Sequence, residues 1–376
     1  MPAVSKVLVV GGGAAGVATA ILLAEAGVEV DLLEIKPDIV TLGSGITLQG
    51  NALRVLRDLG VWDDVQKAGY GFDTLGLRAP DPAGTVIAVL PDARTGGPDL
   101  PAALGMPRQE LARVLHARAE DVGVKIRLAT TCTGIEQDAT GVDVELSDGS
   151  RGRYDLVVGA DGIRSWTRRM IGVPLETRST GMGIWRAFTT RPDTVTRTDL
   201  FYGGPQYIAG YCPTGQDSLY AYIVEEAQDR SALTPDEQLS EMVRLSEGYG
   251  GPWDEIRPTL TDPTRVSYTW FESHVLEEPW NRGRVVLIGD AAHACPPTLA
   301  QGAAQALEDA AVLAELLLTS DAVDATLWQS FMERRYDRAR AVVEASVQLG
   351  QWLIDGERGD VPGLMGRISA LVSEPA

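Results

Sequence analysis

An α/β fold is what this chain predicts: a parallel sheet at its centre, interrupted by an inserted α+β unit on a mostly antiparallel sheet and followed by a C-terminal helix. Three observations carry the prediction. Apolar runs of strand length end in a glycine-bearing turn at three widely separated places. These are Val7-Leu8-Val9-Val10 before Gly11-Gly12-Gly13-Ala14-Ala15-Gly16, Asp155-Leu156-Val157-Val158 before Gly159-Ala160-Asp161-Gly162, and Val285-Val286-Leu287-Ile288 before Gly289-Asp290-Ala291-Ala292-His293. An Ala-rich apolar stretch to Ala26 follows the first turn, as the helix of a strand–turn–helix unit would. Between the second and third runs the texture changes to short strands bearing aromatic residues, which fits a sheet of a different kind.

In the first unit each glycine has a physical task. Gly11 permits a tight turn, Gly13 lets a pyrophosphate approach the backbone, and Gly16 lets the helix lie close to the sheet. The open N–H groups where that helix begins, around Ala15, favour a phosphate. A second strand over 28–33 ends in Glu34, at roughly the ~20-residue spacing of an acid that accepts hydrogen bonds from ribose hydroxyls and repels a 2′-phosphate. The unit therefore suits FAD or NAD and disfavours NADP, with Ile35 and Lys36 continuing the same edge. The later motifs each carry an acid, Asp161 and Asp290, able to cap a helix or to accept from a ribose or ribityl hydroxyl. A nicotinamide dehydrogenase needs only the first motif, so the three together favour FAD.

On these residues the chain resembles the class A flavoprotein monooxygenases, the family of para-hydroxybenzoate and salicylate hydroxylases. The likeness includes Gly45-Ile46, Asn51-Ala52-Leu53-Arg54, Arg108-Gln109-Glu110-Leu111, and Asp161-Gly162 with Ser165 and Arg168. It continues from Gly289-Asp290 through Pro296-Pro297-Thr298-Leu299-Ala300-Gln301-Gly302 to Glu308-Asp309. The resemblance implies a Rossmann-like FAD-binding domain of the glutathione reductase type, non-covalent FAD, and NADH or NADPH as electron donor. It implies hydroxylation of a small aromatic or heteroaromatic substrate with O2 through a flavin C(4a)-hydroperoxide.

Residue by residue, the resemblance implies that Asp161 and Gly162 serve both FAD and the donor, and that Gly289 and Asp290 hold the ribityl chain. Arg108 would lie against the ribityl or phosphate part, Gly45 would belong to the cofactor set, and Pro297 would lie near the substrate. Gly302, Ala303 and Ala304 would open a helix whose N-terminus stabilises negative charge on the reduced flavin. Two positions depart from the family: Ala300 stands where many members have glycine, and Ile35 where arginine is common. Family members move the flavin between an exposed and a buried position, which segments 43–45 and 296–302 would have to accommodate here.

The dispersed motifs predict a discontinuous cofactor domain (1–75, 101–178 and 274–350), a substrate domain (76–100 and 179–273) and a helical tail (351–376). Strands are expected over 181–190, 200–208 and 219–225. Thr234-Pro235-Asp236-Glu237 reads as a capping box with Pro at the first helical position, starting a helix to residue 245. The Pro- and Gly-rich stretch 80–101 predicts a hairpin around Val86-Ile87-Ala88-Val89-Leu90. Helices are expected over 305–317 and 330–353, the second with its apolar face on the cofactor domain and Arg and Glu opposite. Trp185, Tyr202, Tyr211, Tyr220 and Tyr222 are either a pocket wall for an aromatic ring or ordinary sheet packing; Tyr220 and Tyr222, two apart, share a face. Arg186 suits a substrate carboxylate or phenolate, or a salt bridge between domains. The candidate catalytic residues are thus Arg186, Tyr211, Tyr222 and Pro297.

Composition narrows the partners. At 376 residues and 44% hydrophobic, the chain can bury the core of one large or two modest domains. A net charge of −19 repels nucleic acid and anionic membrane surfaces. No apolar signal region or bilayer-length run is present, so a cytoplasmic monomer or homodimer is expected. Cys132, Cys212 and Cys295 lack metal-ligand spacing, and no metal is expected; Cys295, close to His293, is a packing thiol or a redox one. None of the three histidines is assigned as a base, because the protein's task in such chemistry is a dry pocket and substrate placement. Alternative readings are a reductase or halogenase of the same fold, although the halogenase Trp-x-Trp-x-Ile-Pro segment is absent, or a flavin-bearing protein that sequesters an aromatic without turnover.

Overall fold

A computed structural model describes residues 2–39, 45–277 and 279–376. Its central sheet has six strands in the order Asn281–Arg282, Val285–Leu287, Leu156–Gly159, Lys6–Val10, Glu29–Leu33 and Lys125–Arg127. Every pairing is parallel except that of the short edge strand Asn281–Arg282. Both faces are covered, which is why the strands read as continuous apolar runs rather than alternating ones. Val7 and Val9 point into a core shared with Ile21 of helix Ala14–Glu25 and Leu313 of helix Gly302–Thr319. Leu8 and Val10 point the other way, onto Val142 and Val144 of a three-stranded antiparallel sheet, Cys132–Gln137, Val142–Leu146 and Arg151–Tyr154.

A second large sheet has eight strands: His293–Ala294, Val266–Val275, Arg178–Thr190, Ser218–Glu226, Ile208–Pro213, Thr198–Phe201, Thr74–Arg78 and Val86–Pro91. Only the Thr198–Phe201 and Thr74–Arg78 pair is parallel. One face buries Trp185, Tyr211, Ala221 and Ile223 against Met242 and Trp253 from helices Pro235–Ser246 and Pro252–Ile256. The capping box at Thr234 forms with both its hydrogen bonds, while the 80–101 stretch contributes one strand of the edge hairpin, Val86–Pro91, whose partner Thr74–Arg78 precedes the stretch.

Two expected boundaries are corrected. The strand expected over 200–208 is two strands, because Gly203 adopts φ +77 and turns the chain between them. A tail beginning at 351 would cut helix Ala325–Ile354, which runs unbroken through that point; a separate last helix, Val361–Ser373, follows it. Among the described residues no helix is long and apolar enough to cross a membrane.

Candidate active site

The three glycine motifs leave adjacent parallel strands at the same edge of the central sheet. Val10 is paired with Gly159, and Gly159 with Leu287. The turns then touch one another. A Cβ on Gly11, whose φ is +111, would stand 2.3 Å from the Ala160 carbonyl oxygen; one on Gly289 would stand 3.1 Å from the Ala15 methyl. Arg168, buried, donates to the Ala291 carbonyl at 2.8 Å and to the Ile163 carbonyl at 3.0 Å, tying the second motif to the third.

This cradle fits FAD on its own geometry. A Cβ on Gly16 would meet the Gly11 carbonyl oxygen at 2.0 Å, so the helix lies on the turn as only glycine allows, whereas nothing lies within 4 Å of where a Cβ on Gly13 or Gly162 would stand. Helix Ala14–Glu25 has no side-chain cap, leaving its first amides for a ligand. Glu34 accepts from Gly12 N at 3.0 Å and from Lys36 N at 2.9 Å, and Ile35 beside it is exposed. His116, which the sequence left on a helix without a role, donates Nε2–H to the Gly12 carbonyl at 2.9 Å.

The two motif acids differ. Asp161 accepts from Ser165 Oγ at 2.5 Å and from Thr167 N at 2.8 Å, which is the capping alternative. Asp290 makes no side-chain hydrogen bond among the described residues. Its carboxylate is reached by solvent yet ringed by protein, which raises its pKa while Arg108 and His293 oppose the rise. Arg108, at the start of helix Arg108–Asp121, is in the same situation: burial depresses its pKa first, the Arg186 guanidinium adds to that, and Tyr220 and Asp290 counter it. Arg108, Arg186, Tyr220 and Asp290, each reached by solvent, are thus within range of one another's charge and border the space between the cradle and the eight-stranded sheet.

The far wall is one face of the eight-stranded sheet. Arg186 pairs with Tyr222, which pairs with Gly210, so Arg186, Tyr220 and Tyr222 project together. The Tyr220 and Tyr222 rings are 5.2 Å apart, Arg186 Nε donates to Tyr220 Oη at 3.1 Å, and its Nη1 donates to Thr269 Oγ1. Gly45 belongs with this wall rather than the phosphate cradle, since a Cβ there would stand 2.6 Å from Tyr220 Cβ. Tyr211 is a correction: it pairs with Ala221 and so faces the opposite side, where it packs on Trp253 and donates to Asp199 at 2.8 Å. Trp185 is likewise core.

The loop 296–302 is held at both ends. Thr298 donates to the Ser346 carbonyl at 2.6 Å, and Gln301, buried, donates to Asn51 Oδ1 at 3.2 Å. Pro297 is exposed, and its carbonyl accepts from Ala300 N at 3.0 Å, so one of its two lone pairs closes the turn. Ala300 adopts φ +52, the left-handed region that explains glycine at this place elsewhere. Gly302, Ala303 and Ala304 open helix Gly302–Thr319, which has no side-chain cap. Cys295 lies beside Gly302, and burial with Asp290 nearby pushes its thiol up to about 12, which favours the protonated form. Segment 43–45, expected to accommodate flavin movement, is described only at Gly45; residues 43 and 44 lie outside the described residues.

Across residues 4–346 the chain matches the family described as FAD binding domain. It is 32% identical over 357 residues, 92% of this chain and 90% of the relative, to 2-heptyl-3-hydroxy-4(1H)-quinolone synthase of Pseudomonas aeruginosa (strain UCBPP-PA14). It is 28% identical over 366 residues, 94% of each chain, to 6-hydroxynicotinate 3-monooxygenase of Bordetella bronchiseptica. The solved structure of the tetrameric form of 2-methyl-3-hydroxypyridine-5-carboxylic acid oxygenase matches with a TM-score of 0.77 at 26% identity, covering 93% of this chain and 91% of that one. Three glycine turns meeting at one sheet edge, and a match along most of the length, have one meaning: the chain belongs to the FAD binding domain family, among the FAD-dependent aromatic monooxygenases.

Proposed function

We propose that the chain hydroxylates an acidic heteroaromatic ring, held as its anion by Arg186, with NADH or NADPH as electron donor. The observation that carries this reading is the pair of guanidiniums, Arg108 and Arg186, which share the cleft without an ion-pair partner among the described residues. Two like charges left together in a partly desolvated cleft are stabilised by an anion between them. The relatives named for a hydroxynicotinate, a hydroxypyridine carboxylic acid and a hydroxyquinolone support a ring of this kind.

Bound FAD supplies the redox chemistry, taking two electrons from reduced nicotinamide and delivering one atom of O2. The balance is substrate, O2, NAD(P)H and one proton going to hydroxylated substrate, water and NAD(P)+. The protein's own part is placement. Tyr220 and Tyr222, their rings tilted by 33°, form an aromatic wall for the ring, and Arg186 holds the ring oxygen or carboxylate in its charged form, which keeps the ring electron-rich. The Asp290 carboxylate, without a hydrogen bond among the described residues, would take the ribityl hydroxyls, and the open N-terminus of helix Gly302–Thr319 favours negative charge next to that helix end. Glu34 takes the ribose of the adenine half in a Rossmann-like arrangement.

Hydroxypyridine carboxylates, hydroxyquinolones and neutral phenols should be compared for stimulated oxidation of NADH and NADPH, with incorporation of oxygen from labelled O2. Acidic rings are expected to stimulate and to become labelled. In Arg186→Gln, KM for the acidic rings should rise by about tenfold or more, with little change for neutral ones. A preference for neutral phenols, or an unchanged KM, rejects the anionic substrate.

A further inference from the structure

Beneath the turn that carries Asp290 lies a buried charge cluster. We propose that Asp309 is a positioning residue for FAD, fixing the turn that presents Asp290 and anchoring it to helix Ala325–Ile354 through Arg335. The inference rests on the ribityl role proposed above for Asp290.

Asp309 is fully buried, and both its oxygens are engaged. Oδ2 accepts from Gly289 N at 2.8 Å and from His293 Nε2 at 2.6 Å, while Oδ1 accepts from Arg335 Nε at 2.6 Å. Gly289 sits at φ +57, where the turn leaves its N–H without a backbone acceptor, and the Asp309 carboxylate provides one. The turn is thus held from below on both sides of Asp290, at Gly289 and at His293. The Asp290 carbonyl accepts from His274 Nε2 at 3.0 Å, while its carboxylate makes no hydrogen bond among the described residues.

Every carboxylate of the cluster behind Asp309 is paired. Arg335, buried, also donates to Glu308 Oε2 at 3.0 Å and to Gln305 Oε1 at 2.8 Å. Glu308 takes Arg338 on both oxygens, each at 2.8 Å, and Asn51 Nδ2 at 3.0 Å. Arg338 in turn donates to the Leu371 and Glu374 carbonyls at 2.6 and 2.9 Å, and Arg54, 3.8 Å from Glu308 Oε1, to those of Val372 and Ser373. Two carboxylates facing three guanidiniums, whose remaining donors reach carbonyls and an amide oxygen, make burial tolerable, and such a satisfied network is rigid. Burial alone would raise the Asp309 carboxyl, but His293 and Arg335 outweigh it and hold it down at about 2.

An asparagine at 309 keeps the volume but replaces one oxygen with an NH2 group. It must then aim a donor either at Gly289 N–H and His293 or at Arg335. FAD affinity is measured on the full-length protein by flavin fluorescence on dilution, for Asp309→Asn, Asp290→Ala, the double variant, and Met242→Ala as a destabilised control in the separate core behind the eight-stranded sheet. Asp309→Asn and Asp290→Ala should each weaken FAD by about tenfold, and the double variant should be within about threefold of the worse single. Met242→Ala should stay within about twofold of the parent while lowering the melting temperature. If Asp309→Asn fails to fold, His293→Gln carries the same expectation of weakening that is non-additive with Asp290→Ala. An unchanged FAD affinity in Asp309→Asn, effects that multiply in the double, or equal weakening in Met242→Ala overturns the proposal. Unchanged affinity in Asp290→Ala alone rejects the ribityl reading, and with it the route by which Asp309 acts.

Discussion

Gly13 sits in extended backbone, φ −77 and ψ 179, with nothing within 4 Å of a prospective Cβ. A valine there is compatible with the fold and fills the space a pyrophosphate needs. Gly13→Val is therefore expected to keep its circular dichroism and melting temperature and to purify without flavin; full flavin content would refute the assignment of that turn. Asp290→Ala removes a hydrogen-bond acceptor from the ligand and should cost about 1–3 kcal/mol of FAD binding, roughly 5- to 150-fold, seen as flavin lost on dilution. Tyr211→Phe should lower stability by about 1 kcal/mol and leave kcat unaltered, since its hydroxyl serves Asp199 behind the sheet. The glycine positions were legible because a residue type imposes its own backbone geometry. The facing of Tyr211 was not: alternation orders residues within a strand, whereas Tyr211 and Tyr222 lie on different strands whose register no local pattern states.

Elements were readable to the extent that their signals are local. The helix from Pro235 was set by a capping box four residues long, and it formed with the expected start. The helix Ala325–Ile354 was expected to show its charged residues to solvent, yet Arg335 and Arg338 are buried. Their partners, Glu308 and Asp309, belong to another helix, and only tertiary packing brings the pairs together. The short turn Pro297–Leu299 makes a further element-scale prediction. Proline at 297 fixes the φ of a turn closed by Ala300 N, and glycine would free it. Pro297→Gly should increase hydrogen peroxide formed per reduced nicotinamide consumed, because a looser loop admits water to the reacting centre. Unaltered coupling between nicotinamide oxidation and hydroxylated product would remove Pro297 from the mechanism.

At the scale of the whole molecule, acid stability should fall in two stages. Burial, with the Arg168 guanidinium adding to it, pulls the His274 imidazole down to about 4, below the unfolded value of about 6.5. The folded state thus binds this proton less readily, so the contribution is complete above pH ~6.5 and is lost as pH falls toward about 4, by on the order of 3 kcal/mol. Asp309, depressed to about 2, keeps its contribution above the ordinary carboxyl range and loses it only at lower pH. Melting temperature against pH should show both stages, and His274→Gln should flatten the upper one alone. If the cleft must admit a donor and then exclude water, flavin reduction should also be faster with an acidic aromatic bound than without; equal stopped-flow rates would exclude that coupling. The architecture around the glycine turns was largely legible because the motifs name their strands. The cleft's far wall was not, because it depends on where a separate sheet comes to rest.

Asn51 and Glu308, which hydrogen-bond at 3.0 Å, are 257 residues apart in the chain. The strand Lys6–Val10 leaves the ribosome first and is soon followed by one neighbour, Glu29–Leu33, but its other neighbour, Leu156–Gly159, follows only on the order of ten seconds later at about 5–20 residues per second, and Val285–Leu287, which pairs with Leu156–Gly159, later still. Until then one edge of the first strand is unpaired. A nascent chain stalled before Arg335 would carry every glycine turn, and Asp309 beneath the third, but not the guanidinium that anchors Asp309.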